Sequence, residues 1–316
     1  MSEYTTIHDG PDHDARSFRD LPPSVRTIVS DSLPTRDRCL SVTLCTLAGE
    51  VARSVDGDGV GARIDRTIAP VSEAVYSFDG YVRIRFDLLS GEQYERADAR
   101  DAAILASDYL HAAAYATIAE TPVSDRRSLE LYRTLVSGST ALAAQFLSRA
   151  PEAGTPNATR PQVSATDRWD ASSHPDVTLA ETAAALGTTA VGATAETRSA
   201  VERYAGSLAT TLSAKPSARD DVRAIAIRAL SVAGDQPRVA DDRRNGEEHR
   251  RSDEGHRRSG EGEPTASTHH LETAREAIET LRRRGGTTDR HEGHDPIDRL
   301  ERATRIPFER VADTDG

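Results

Sequence analysis

The sequence predicts an all-α chain, folded as one large helical bundle, and three observations carry that expectation. Apolar residues recur every three to four positions along most long segments, the spacing of one helical face. Hydrophobic residues make up 37% of the 316 residues and aromatics only 4%, so the core must be built from Ala, Leu, Val and Ile, a composition that favours helices over a sandwich of strands. No segment alternates apolar and polar residues between hairpin turns, and no internal repeat stands out.

Residues 1–16 are polar and are expected to be a disordered tail. The bundle core is expected over 17–236. Ser17 to Leu33 predicts a first helix with Pro22 and Pro23 near its start, and Thr35 to Ser54 a second with Leu40, Val42, Leu44, Leu47 and Val51 on one face. Val55 to Gly61, tipped by DGDGVG, is a turn: the later ligands and terminal Glu of a calcium loop are missing, and no strand or GK[ST] makes it a phosphate loop. Ile64 to Leu89 is one long helix, or two broken at Gly80, and Ser90 to Asp98 is a polar connector. Ala99 to Glu120 has an alanine-rich face, with Asp101 placed like a cap and Asp108 inside the apolar run. Such a face lets backbones approach, so this helix is expected deep in the bundle, with Asp108 bonded to a neighbouring helix. Ser124 to Arg149 should point Leu129, Leu131, Leu135, Leu142 and Phe146 inward. A Pro, Ser and Thr-rich loop holding Trp169 leads to helices at Asp176 to Thr194, Glu196 to Ala214 and Asp220 to Ala233. Residues 237–268 form a charged insert too poor in apolar surface to order. Residues 269–316 complete the bundle with two helices, the second opened by Pro296.

The formal net charge is -11 and Lys215 is the only lysine. An acidic, lysine-poor surface suits solubility in concentrated salt and excludes nucleic acid as a partner, since that binding needs basic patches. No run reaches the roughly 20 apolar residues of a membrane span, and the N-terminus carries no basic-then-apolar signal, so a soluble cytoplasmic protein is expected. Cys39 and Cys45 lie on different faces of one helix and are expected to be two small buried hydrophobes. The late histidines, among them His249, His256 and His291, fall in charged segments without metal-ligand spacing, and no GxSxG marks a serine nucleophile.

Ala103-Ile104-Leu105-Ala106-Ser107-Asp108-Tyr109-Leu110 resembles the AILAGDYLL helix of the trans-isoprenyl diphosphate synthases, or polyprenyl synthetases. The resemblance runs by helix order over most of Thr35 to Arg310, including Tyr204-Ala205-Gly206-Ser207-Leu208 and the closing helices. It implies the isoprenoid synthase type of bundle, with an apolar tunnel beneath two facing aspartate clusters. In those enzymes magnesium held by the clusters neutralises two diphosphates while isopentenyl and allylic units join.

The departures fall on the residues that do that chemistry. The first cluster position is Asp79-Gly80-Tyr81-Val82-Arg83, where only Asp79 matches. The second has Asp220 and Asp221 four residues beyond the ungapped position, with Ala224 in third place; they are remnant metal positions or an acidic first turn suited to the helix dipole. Arg38 and Gln145 match phosphate- and substrate-binding positions. The arginine turn is lost at Leu88 to Gly91, and the lysine-threonine pair near Pro175-Asp176. The resemblance therefore implies a non-catalytic relative tied to isoprenoid biosynthesis, with no cofactor: a regulatory subunit of an active synthase, a homodimer, or a binder of a prenyl ligand. The alternatives are an active magnesium-dependent prenyltransferase and an unrelated helical scaffold.

Overall fold

Ten α-helices and one 3-10 turn make up the computed structural model, which describes residues 20–57, 64–90, 93–149, 174–214, 219–231, 266–285 and 295–312; no strand occurs among them. In order they are α1 (Pro23–Ser32), the turn Arg36–Arg38, α2 (Leu40–Asp56), α3 (Ile64–Ser90), α4 (Ala97–Glu120), α5 (Asp125–Arg149), α6 (Pro175–Val191), α7 (Ala195–Ser213), α8 (Arg219–Ser231), α9 (Ala266–Gly285) and α10 (Pro296–Ala312). The all-α expectation holds. The N-terminal tail, the tip of the DGDGVG loop, Trp169, Lys215 and the charged insert up to residue 265 lie outside the described residues, while Ala266 to Thr268, expected in the insert, open α9.

At the centre lies α6, packed against α2, α3, α5 and α7. Thirteen of its 17 residues are buried, almost all of them Ala, Thr, Leu or Gly. It begins with Pro175 at N1 behind His174, whose ring Nδ1 accepts from the Asp176 N–H (3.2 Å). It ends where Gly192 turns left-handed (φ 76°), and the Gly192 and Ala193 N–H groups bond back to Thr189 and Thr188 (3.0 Å each). A side chain at Gly187 would place its Cβ 2.1 Å from the Cys45 carbonyl oxygen, so α2 and α6 cross backbone to backbone. This pair divides the interior in two. Cys45 of α2 and Leu179, Ala183 and Leu186 of α6 join a core with α1, α3, α4 and α5. Leu44, Leu47 and Val51 of α2 and Val177, Ala180 and Ala184 of α6 join a second core with α7 to α10.

Polar groups pin the second half to this spine. At the end of α2, the Asp56 carboxylate accepts from the Thr194 N–H (2.9 Å) and the Thr197 hydroxyl (3.0 Å), while Thr194 caps α7 through the Thr197 N–H (3.3 Å). The Arg299 guanidinium of α10 is buried, donating to the Leu230 carbonyl (2.6 Å) and to Glu50 of α2.

Several local expectations are corrected. The first helix starts at Pro23, and Thr35 to Cys39 is not helical beyond the short turn; α2 starts at Leu40 behind Cys39. Of the two alternatives for Ile64 to Leu89, the single long helix holds, and α3 runs unbroken through Gly80. Arg96, not Asp101, precedes α4, and its side chain makes no capping bond. Leu129 points outward at 50% exposure, on the opposite side of α5 from Leu131 and Leu135. The α4 helix is buried on one face only, through Ala103, Ala106, Leu110, Ala114 and Ile118, while Leu105 is 57% exposed. Asp108 lies on the exposed side rather than in the buried run, but its expected bond to a neighbouring helix is present, accepted from Arg85 of α3 (2.6 Å).

Candidate functional site

One cleft of about 1050 Å³ opens where α1, the Arg36–Arg38 turn, α3, α6 and α8 converge. The second core and the α2–α6 crossing bring these elements together: the turn leads directly into α2, and α8 packs on α2 and α10. Arg38, Arg83, Asp176, Asp221 and Arg223 all line it, from four different elements.

Beneath the lining sits Asp79, fully buried on α3. One carboxylate oxygen accepts from the Ser41 hydroxyl (2.6 Å) and the Cys39 thiol (3.4 Å), and those two side chains are 3.1 Å apart. The other accepts from Arg83 Nε, one turn along the same helix. Burial works against the Arg83 charge, but Asp79 more than offsets it, so the guanidinium is held above its ordinary range. A second pair lies alongside: Arg223 of α8 donates to Asp176 of α6 (2.7 Å). Its charge too is opposed by burial and sustained by Asp176, with Asp79 adding to the attraction. Burial, helped by Asp79, pushes the Cys39 thiol up to about 12, and burial alone does the same to Cys45. Both cysteines are free and protonated, as the sequence leads one to expect of buried thiols, yet Cys39 also serves as a hydrogen-bond donor.

The cleft thus collects three of the sequence-derived positions. Arg38 and Asp221 form part of its wall, and Asp79 underlies it through Arg83. Asp221 is exposed, and the Asp220 side chain lies outside the described residues. Gln145 is not part of the cleft. Its Nε2 donates to the Thr178 hydroxyl (2.8 Å), a bond from α5 to α6, and its buried Oε1 has no partner among the described residues.

Magnesium wants several carboxylate oxygens left open to it. The donor set here does not fit. Both Asp79 oxygens are taken by Arg83, Ser41 and Cys39, and Arg83 brings a positive charge to the position where the third carboxylate of the cluster would stand. Among the described residues no three His, Cys, Asp or Glu side chains gather in a metal-holding group. What the cleft does hold is four arginines (Arg38, Arg83, Arg223 and Arg228) facing five aspartates. Two of those arginines are already committed to carboxylates.

Sequence reasoning missed His174, Asp176 and Arg223. The Asp79–Arg83 contact was legible as an i, i+4 pair of opposite charges on one helix. The Asp176–Arg223 pair spans 47 residues and had no local signal. No helix among the described residues is long and apolar enough to cross a membrane. No protein-family model matches the chain, and no curated protein shows significant similarity to it.

Proposed function

We propose that this chain is a polyprenyl-synthetase-like protein of the cytoplasm, tied to isoprenoid biosynthesis, that does not itself condense prenyl diphosphates. It serves as a regulatory partner of an active synthase or as a binder of a prenyl ligand. The resemblance of its helix order, from Thr35 to Arg310, motivates the family reading, and the all-helical architecture is compatible with it. One observation carries the loss of catalysis: Asp79, at the first cluster position, is buried and sealed by Arg83, Ser41 and Cys39. A fixed guanidinium neutralises that carboxylate, the role a hard divalent cation would otherwise take. Without metal, the developing charge on the departing diphosphate loses several kcal/mol of stabilisation.

Incubation of the purified chain with labelled isopentenyl and allylic diphosphates, magnesium and concentrated salt tests this. The expected result is no elongated product. Magnesium-dependent elongation that disappears in Asp79→Asn would overturn it.

A further inference from the structure

Away from the cleft, a serine and a histidine meet between α4 and α5. Both are half-buried, and Ser139 Oγ of α5 lies 2.9 Å from His111 Nε2 of α4. The Tyr115 hydroxyl, one turn beyond His111, donates to the same Ser139 oxygen (3.4 Å). With that oxygen accepting from Tyr115, the serine's own hydrogen is left to donate to Nε2. Packing holds each group in place. The imidazole lies against the Tyr81 ring of α3 (centroids 4.5 Å, 25° between planes), and the Tyr115 ring stands edge-on to it (5.1 Å, 86°). Gly138 lets α5 close on α6, where an added Cβ would stand 2.4 Å from the Thr182 hydroxyl oxygen. Tyr132 of α5 donates to the Tyr115 carbonyl (3.3 Å), which fixes α5 against α4.

The charged groups facing the imidazole are Arg85 of α3 and Asp108, one turn earlier on α4, and they are paired with each other (2.6 Å). Burial first, and Arg85 next, hold His111 below its ordinary range against the pull of Asp108. The ring is therefore neutral near pH 7 and free to take a proton. A hydroxyl bonded to such a base, with the base held by further contacts, is the arrangement that activates a serine. We propose that Ser139 is a nucleophile for acyl transfer, with His111 as its general base, acting on esters of small apolar acids. Oγ attacks the ester carbonyl while Nε2 takes the hydroxyl proton; the bond to the alcohol then breaks, and the alcohol leaves with that proton. Water, giving a proton to His111, releases the acid from the acyl-serine, and His111 returns the proton to Oγ. Tyr115, within 3.4 Å of the attacking oxygen, turns its hydrogen to the carbonyl oxygen as charge builds there. The surroundings select the acyl group. Ile104, two turns before His111, and Val136 and Ala143, one turn to either side of Ser139, are exposed. From Thr134 to Leu147 there is no Asp, Glu, Lys or Arg. The proposal is independent of the isoprenoid reading.

An alkyl fluorophosphonate, which esterifies activated serines and stays attached, tests it on the full chain in concentrated salt. Peptide mass spectrometry should place the label on Ser139, and the labelled chain should no longer release nitrophenolate from p-nitrophenyl butyrate. The labelling rate should rise with pH to a plateau, with its midpoint below the roughly 6.5 of an ordinary histidine. His111→Gln should slow labelling about 100-fold, and Ser139→Ala should abolish it. Ser148→Ala, which removes an exposed hydroxyl bonded back to the Gln145 carbonyl (2.8 Å), should leave it unchanged. If His111→Gln fails to fold, the pH profile of the wild type decides. No label on Ser139 in the folded wild type, a labelling rate flat between about pH 5 and pH 8, or a folded His111→Gln labelled as fast as the wild type would overturn the proposal.

Discussion

Gly187→Ala should destabilise the protein by about 3 kcal/mol, lowering the melting midpoint on the order of 10 °C. The new Cβ would stand 2.1 Å from the Cys45 carbonyl oxygen and 3.0 Å from its carbon, and neither is the end of a flexible side chain that can swing away. Relief requires α2 and α6 to separate, which loosens both cores at once because each helix contributes to both. The sign makes the test sharp. In an isolated helix the same exchange gains about 1 kcal/mol, since alanine is the better helix former. Gly285→Ala is the control: its added Cβ would find nothing closer than 3.7 Å, so it should be neutral or stabilising. Thermal melts followed by circular dichroism in concentrated salt measure both. A Gly187→Ala protein as stable as the wild type would mean that the helices do not cross this closely.

Arg83→Ala should cost about 3 kcal/mol, toward the lower end of the range for breaking a buried pair, because the arginine is itself partly solvated (41% exposed) while Asp79 is sealed (1%). Losing the guanidinium leaves a buried carboxylate with only Ser41 and Cys39 for partners. Asp79→Asn in the same chain removes the stranded charge, so the double variant should recover most of the loss. Urea unfolding of the two single variants and the double measures the coupling. Additive losses would show that Asp79 and Arg83 act independently, and the sealed-carboxylate account would fail.

These two positions also show what was legible in the sequence and what was not. The helical class followed from spacing and composition, and most helices lie within a few residues of where their apolar faces place them. The centre of the bundle did not follow. Both α4 and α6 are alanine-rich, and the sequence favoured α4. Burial separates them: α6 is buried nearly all round between two cores, whereas α4 covers the first core on one side only.

At the site, Arg38 and Asp221 line one cleft and Asp79 lies beneath it; their surroundings are set by Arg83, legible as an i, i+4 partner of Asp79, and by Asp176 and Arg223, which no local pattern singled out. Arg83 is one helical turn from Asp79, and its charge turns a candidate metal ligand into half of an ion pair. Asp176 and Arg223 meet only because α6 and α8 both pack on α2. Gln145 went the other way: its amide matched a substrate-binding position, and the fold spends it on Thr178.

On the proposed reading, Arg83 holds at Asp79 the place a divalent cation would otherwise take. Manganese, a hard cation that stands in for magnesium and whose paramagnetic signal broadens when it is bound, tests this directly. Titrated into the wild-type chain and into Asp79→Asn in concentrated salt, it should give the same free-ion signal at every addition. One manganese bound per chain in the wild type, and none in the variant, would contradict the claim.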